Sequence, residues 1–317
     1  MGLLSGSGDA DRAEELCELA RTDPDAAAAE ADELRELLTS GDTDTRTAAA
    51  DGLSHLAASH PDAVEPAIDR LLTRLEDGDA SSRRRAADAL VALADADPSA
   101  FGAWVETTTP YIEDDDPYVR ATVANVLALV AADRPSNVTA AVEDLWTALV
   151  DPGDWDVRTF ATGALADIAV RHPEEVVPAV EQTVSNAREP VPALQVAAVD
   201  LLAAVGAERP GVVDEEVDAV LASVAQDAPP AQRAAALLAI GRLGRAVPGG
   251  VPTALDTVVP ALAADEGEVR RAAAAAYVTV VEKHPDVLPT DEGTRQRLWW
   301  LADEVDLPIE AVLDRLS

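Results

Sequence analysis

Few residues in this chain can do chemistry: four histidines, one cysteine and 59 carboxylates. His172 stands beside Glu174 and Glu175 in the stretch "VRHPEEVVPAV" (170–180), a pairing that would suit proton transfer or a metal ion. Its counterparts along the chain argue for a different role. His60, His172 and His284 each immediately precede a proline, and Arg134 and Arg209 hold the same place before others. A cation at a helix C-terminus is favoured by the helix dipole by about 0.3–1 kcal/mol. These three histidines are therefore read as helix-end residues. His55 alone falls elsewhere, and one histidine makes no site. Cys17, the single cysteine, excludes an internal disulfide and a multi-cysteine metal cage. The sequence contains no Gly-rich phosphate loop, no H-E-x-x-H and no cysteine with a partnered histidine. No catalytic residue, cofactor or metal ion is expected.

The prolines set the organisation. Pro24, Pro61, Pro98, Pro135, Pro173, Pro210, Pro248 and Pro285 recur at intervals of 37 or 38 residues. Fifteen residues before the later seven lie Arg46, Arg83, Arg120, Arg158, Gln195, Arg233 and Arg270. Small or apolar residues follow that column at offsets of three (Ala49, Ala86), seven (Leu53, Leu90) and ten (Leu56, Leu93), which is one face of a helix. A second apolar period follows each proline, as in Val64 and Ile68. Each repeat thus reads as two helices of about four turns, with proline at the tight break. Acidic or Gly/Pro-rich junctions such as "EDGDASS" and "EDDDPY" supply aspartate N-caps. A repeat cannot bury its own apolar face, so stacking must supply the core.

Composition adds constraints. The formal charge is −35, and only one basic residue, Lys283, is a lysine. The acids interleave with the apolar period and do not gather in a tail. An acid-coated, lysine-poor surface resembles proteins of cytoplasms that hold molar salt, where a Debye length of about 3 Å screens self-repulsion. No apolar run approaches the ~20 residues that span a bilayer, and the N-terminus lacks the features of a secretory signal. A cytoplasmic location is expected.

A helical pair of about 37 residues carrying Asp-x-x-x-Arg-x-x-Ala-x-x-x-Leu-x-x-Leu resembles the HEAT-repeat family, with armadillo-like solenoids beside it. The best matches are "DPYVRATVANVLALVA" (116–131), "DWDVRTFATGALADIA" (154–169) and "EGEVRRAAAAAYVTVV" (266–281). The resemblance covers residues 10–290. It implies an all-α solenoid of seven to eight hairpins, with an aspartate and arginine ladder linking neighbouring repeats. Asp42, Asp79, Asp116 and Asp154 stand four residues before their arginines. Val191 with Gln195, and Pro229 before Arg233, depart from the pattern and are expected to alter the twist there or to form a hinge. Di-iron hydroxylases and alkylpurine glycosylases share such scaffolds. The former carry His-Glu metal pairs and the latter basic, aromatic grooves, and neither pattern occurs here. Residues 1–9 are expected to be a flexible N-terminus, 10–22 an unpaired leading helix, and 291–317 capping helices.

The function expected is a non-catalytic scaffold that binds a protein partner. Asp51, Asp88, Asn125 and Asp200 share one offset on the second helix, opposite its apolar face, and form either a partner-binding stripe or a solvated face. Arg84, Arg242, Arg245 and Arg271 make local basic spots in an acidic chain. Trp299 and Trp300 are adjacent on one helix, so one is expected to close the last repeat and the other to be an exposed anchor. Trp155 is placed in an inter-repeat turn. The alternatives are nucleic-acid association through those local arginines, disfavoured because the net charge repels phosphate and salt weakens phosphate contacts, and a HEAT-like enzyme with an unrecognised site.

Overall fold

In the computed structural model the described residues are 6–151, 153–223, 228–287 and 292–302, and among them there is no strand. The fold is built on helices of 15 to 17 residues, one per repeat. In unit 1 (residues 1–148) these are α1 (Gly6–Thr22), α2 (Thr43–Ala57), α3 (Ala80–Ala96) and α4 (Pro117–Asp133). In unit 2 (residues 149–317) they are α5 (Trp155–Ala169), α6 (Pro192–Glu208), α7 (Pro230–Ala246) and α8 (Gly267–Lys283). Within each unit every long helix packs on the next in sequence. The seven helices α2 to α8 carry the expected Arg/Gln column, and α1 comes before them in the chain. That helix starts at Gly6, inside the stretch expected to be flexible.

Stacking follows from the small residues. Ala49, Ala86, Ala161, Ala198 and Ala273 are buried, so backbones approach closely, and Leu53, Leu90, Leu127, Leu165, Leu202, Ile240 and Tyr277 fill the layer behind them. Aspartate starts several of these helices. The side chains of Asp42, Asp79 and Asp116 accept from the backbone N–H of Thr45, Ser82 and Tyr118 at 2.9, 3.0 and 2.9 Å. Proline ends them. Six of the residues that precede a repeat proline, Asp23, His60, Asp97, Arg134, His172 and Arg209, take φ between −132° and −145° with ψ between 54° and 85°, outside the helical region that the following ring disfavours.

The first helix of each repeat differs from expectation. It is a broken outer segment, not four continuous turns. Pro61–Val64 passes through the 3-10 turn Glu65–Ala67 into Ile68–Arg74, and Pro173–Val176 through Val177–Ala179 into Val180–Ala187. Pro66 and Pro178 lie in those turns, where each lacks an N–H and its ring crowds the carbonyl four residues back.

The arginine column does link repeats. Nη1 of Arg46, Arg83, Arg120 and Arg270 donates to the carbonyl six residues earlier, on Ser40, Asp77, Asp114 and Ala264, at 2.8–3.0 Å. Arg46 also donates to Asp77 at 2.8 Å and Arg83 to Asp115 at 2.5 Å, each across to the next junction. Arg158 reaches Asn186 at 2.5 Å, and Arg233 lies 3.4 Å from Glu266. Asp77, Asp115 and Glu266 are junction residues, and Asn186 lies in the last turn of the outer helix Val180–Ala187. Asp42 and Asp79, which precede the arginines by four, serve chiefly as helix caps.

Candidate functional site

In unit 2 the long helices leave an open groove of about 450 Å³. Ala166, Asp167 and Val170 of α5, Asp200, Ala203, Ala204 and Ala207 of α6, Arg242, Arg245 and Ala246 of α7, and Lys283 of α8 line it. The groove exists because alanine occupies the positions that face it: four helices meet with methyl groups where longer chains would fill the gap. Its floor is apolar and its charges are sorted. The acids Asp167 and Asp200 come from α5 and α6, and the cations Arg242, Arg245 and Lys283 from α7 and α8. Arg242 closes on Asp200 as a fork, with Nε 2.7 Å from Oδ1 and Nη2 2.8 Å from Oδ2. Burial raises the Asp200 carboxyl above the usual carboxylate range even against that pairing. Asp167 is also raised, first by burial and then by the charge of Asp200. Arg245 is half exposed, 3.6 Å from Glu282, and its carbonyl lies 3.1 Å from Nε2 of His284.

Unit 1 places its sequence-selected residues differently. The stripe of Asp51, Asp88 and Asn125 is half-buried and is not a freely solvated face. Arg85 lies 2.9 Å from Asp88 and 3.5 Å from Asp51, and the Tyr118 hydroxyl donates to Asp88 at 2.5 Å. Arg84 donates to Asp116 at 2.7 Å while its guanidinium sits 5.9 Å from the centre of the Tyr118 ring. The basic spots expected at Arg84 and Arg242 are therefore already neutralised by acids of adjacent helices, because the two columns share one face at repeat spacing. Arg271 is exposed on α8, away from the groove-lining set.

The sequence-selected tryptophans fall on two helices. Trp155 is the first residue of α5, not part of a turn, and is 52% exposed. In the helix Glu292–Ala302, Thr294 and Leu298 are buried among the described side chains, four apart on one face. Trp299 is 60% exposed. The Trp300 side chain and residues 303–317, including the expected helix 308–316, lie outside the described residues.

Sequence reading missed one cluster. Cys17 of α1 and Asp51 and His55 of α2 bring Sγ, a carboxylate oxygen and an imidazole nitrogen within 4.8 Å of one another, which makes them the one group among the described residues suited in type and distance to hold a metal ion. The Cys17 thiol donates to Asp51 Oδ2 at 3.5 Å, and His55 Nε2 is 3.9 Å from the same oxygen. The thiol is pushed up to about 12, first by burial and then by the Asp51 charge. The spacing Asp51-x-x-x-His55 was visible in sequence, but Cys17 lies nearly a whole repeat away. The three histidines expected at helix ends do lie there. His60 is 2.9 Å from Asp25 of the preceding outer segment, His172 starts its segment, and His284 ends α8.

Residues 68–166 match the family of HEAT repeats. No curated protein matches the sequence. Among solved structures, the crystal structure of one engineered protein is 22% identical over 99% of this chain and 85% of its own, with a TM-score of 0.75. Two further engineered proteins are 22% and 23% identical over 80% of this chain and 97% and 98% of theirs, each with a TM-score of 0.54. At that identity the likeness speaks for fold. Repeat match, helix order and structural likeness together make the chain an all-α solenoid of HEAT-like helical hairpins.

Proposed function

We propose that this chain is a non-catalytic scaffold that binds another protein along its long-helix layer, working in a high-salt cytoplasm, and that the groove of unit 2 takes a segment of that partner. The observation behind this reading is the groove itself: an alanine floor with the exposed cations Arg245 and Lys283 in its lining. An apolar stripe on the partner would cover the methyl groups, and a partner carboxylate would meet those cations. Arg242 is already committed to Asp200. In molar salt charge steering is screened, whereas apolar burial is strengthened by excluded salts. The HEAT-repeat match supports a scaffold role, and exposed Trp299 marks the competing anchor.

The test is partner capture at molar salt with two variants. Ala207→Trp fills the groove and should abolish capture while leaving the melting temperature nearly unchanged. Trp299→Ala should leave most of it. The reverse pattern would reject the groove and place the contact on the helix Glu292–Ala302.

A further inference from the structure

We propose that Cys17, Asp51 and His55 form a binding site for one zinc-class divalent ion, independent of any protein docking. The ligand set is chemically apt. A thiolate, an imidazole and a carboxylate are the three donor types that bind zinc, and three protein ligands leave a fourth position open. Two of them stand at i and i+4 on α2, so the helix itself presents them to one side. The third comes from α1, and the close approach of the two helices has a visible cause. A Cβ on Gly52 would lie 3.3 Å from the Cys17 backbone and 3.0 Å from Leu34, so glycine is what admits α1 at this depth.

The carboxylate is also oriented. Asp51 turns Oδ1 toward Arg85 at 3.5 Å and leaves Oδ2 to face both Sγ and Nε2. An outer cation that fixes one oxygen and frees the other is the usual support for a metal-binding carboxylate. The Sγ–Oδ2 spacing of 3.5 Å is that of two ligands on bonds of about 2.0–2.3 Å at a tetrahedral angle, and Nε2, 3.9 Å from the same oxygen, has to close by about 0.5 Å when the ion binds. Binding replaces the Cys17 S–H bond with a sulfur–metal bond and releases one proton to solvent, with no change of oxidation state. The acid-coated surface supplies many weak cation contacts, but only this place adds sulfur and nitrogen.

The experiment titrates Co²⁺ into the full chain at molar salt and follows the near-ultraviolet thiolate-to-cobalt charge-transfer absorption, with Zn²⁺ as competitor. The absorption should saturate at one ion per chain, disappear on adding Zn²⁺ and be absent from Cys17→Ser. Asp51→Asn and His55→Gln should each weaken Co²⁺ binding at least tenfold, with helicity by circular dichroism unchanged. Four results would overturn the proposal: no charge-transfer absorption, saturation at half an ion per chain (a bridge between two copies), full affinity in either Asp51→Asn or His55→Gln, or resistance to Zn²⁺.

Discussion

Arg242 and Asp200 meet as a fork across adjacent helices although 42 residues separate them, one repeat plus the offset between the two columns. The pair sits half-exposed at the edge of the unit 2 groove, so solvent discounts it. Arg242→Ala and Asp200→Ala, with their double mutant, should give a coupling of about 0.5–1 kcal/mol in urea unfolding. Lysine at 242 should recover only part of it, because a point charge cannot form the fork. A coupling of zero would show that the contact does not stabilise the fold.

Asp167 carries an electrostatic cost. Its folded-state pKa is raised by burial and by Asp200, so the folded chain holds the Asp167 proton more tightly than the unfolded one. Ionisation therefore costs stability above the folded pKa, and the loss is absent below the usual carboxylate range. Asp167→Asn should raise the melting temperature at neutral pH, and the gain should shrink as pH falls through the raised pKa. Melting curves of both proteins between neutral and acid pH check it. An equal gain at every pH would assign the effect to packing.

Gly241 sits directly against the backbone of the next long helix. A Cβ there would lie 2.7 Å from the Cα and 3.0 Å from the carbonyl oxygen of Ala276, so α7 would have to move off α8 backbone, not merely displace a side chain. Gly241→Ala should therefore destabilise by about 1–3 kcal/mol despite alanine's better helix propensity. Gly163, with nothing within 4 Å of an added Cβ, is the matched control on α5, where alanine should stabilise by up to about 1 kcal/mol. Chemical denaturation of both variants checks the contrast.

The repeat was legible because it is periodic: 37-residue spacing gave the helix order, and offsets of 0, 3, 7 and 10 gave the buried face, down to Leu53 and Tyr277. The roles of the surface residues were less legible. Asp88 and Arg84 appear in sequence as separate acidic and basic features. Only stacking sets them beside Arg85, Tyr118 and Asp116, at spacings fixed by how neighbouring helices rotate against each other. The breaks at Pro66 and Pro178 were hidden because the apolar period runs on through them, and the segment after Pro135 turns at Thr139–Ala141 with no proline in that turn. The Cys17 cluster was hidden too, since it depends on how deeply Gly52 lets α1 settle.

Salt should govern stability more than any single residue. The chain carries 35 net negative charges, and repeats contact chiefly their neighbours, so there is no single deep core to oppose repulsion. In dilute buffer the Debye length grows to about 30 Å at 0.01 M, so each charge then feels those of adjacent repeats, whereas at 1 M it is about 3 Å and most pairs are screened. The ion pairs do not offset this. Most are half-exposed, such as Arg188–Glu216 and Arg242–Asp200, and salt weakens them as well. The two effects oppose each other, and their numbers decide the sign: 59 acids face 24 bases, so unpaired carboxylates outnumber paired ones. Net repulsion wins, and raising salt should stabilise. Circular dichroism should show helix loss and a lower melting temperature on dialysis from molar to millimolar potassium chloride, reversed on return. Replacing an exposed junction acid such as Asp265 with asparagine should shift that midpoint to lower salt. Constant helicity and melting temperature across the range would remove the case for a high-salt protein.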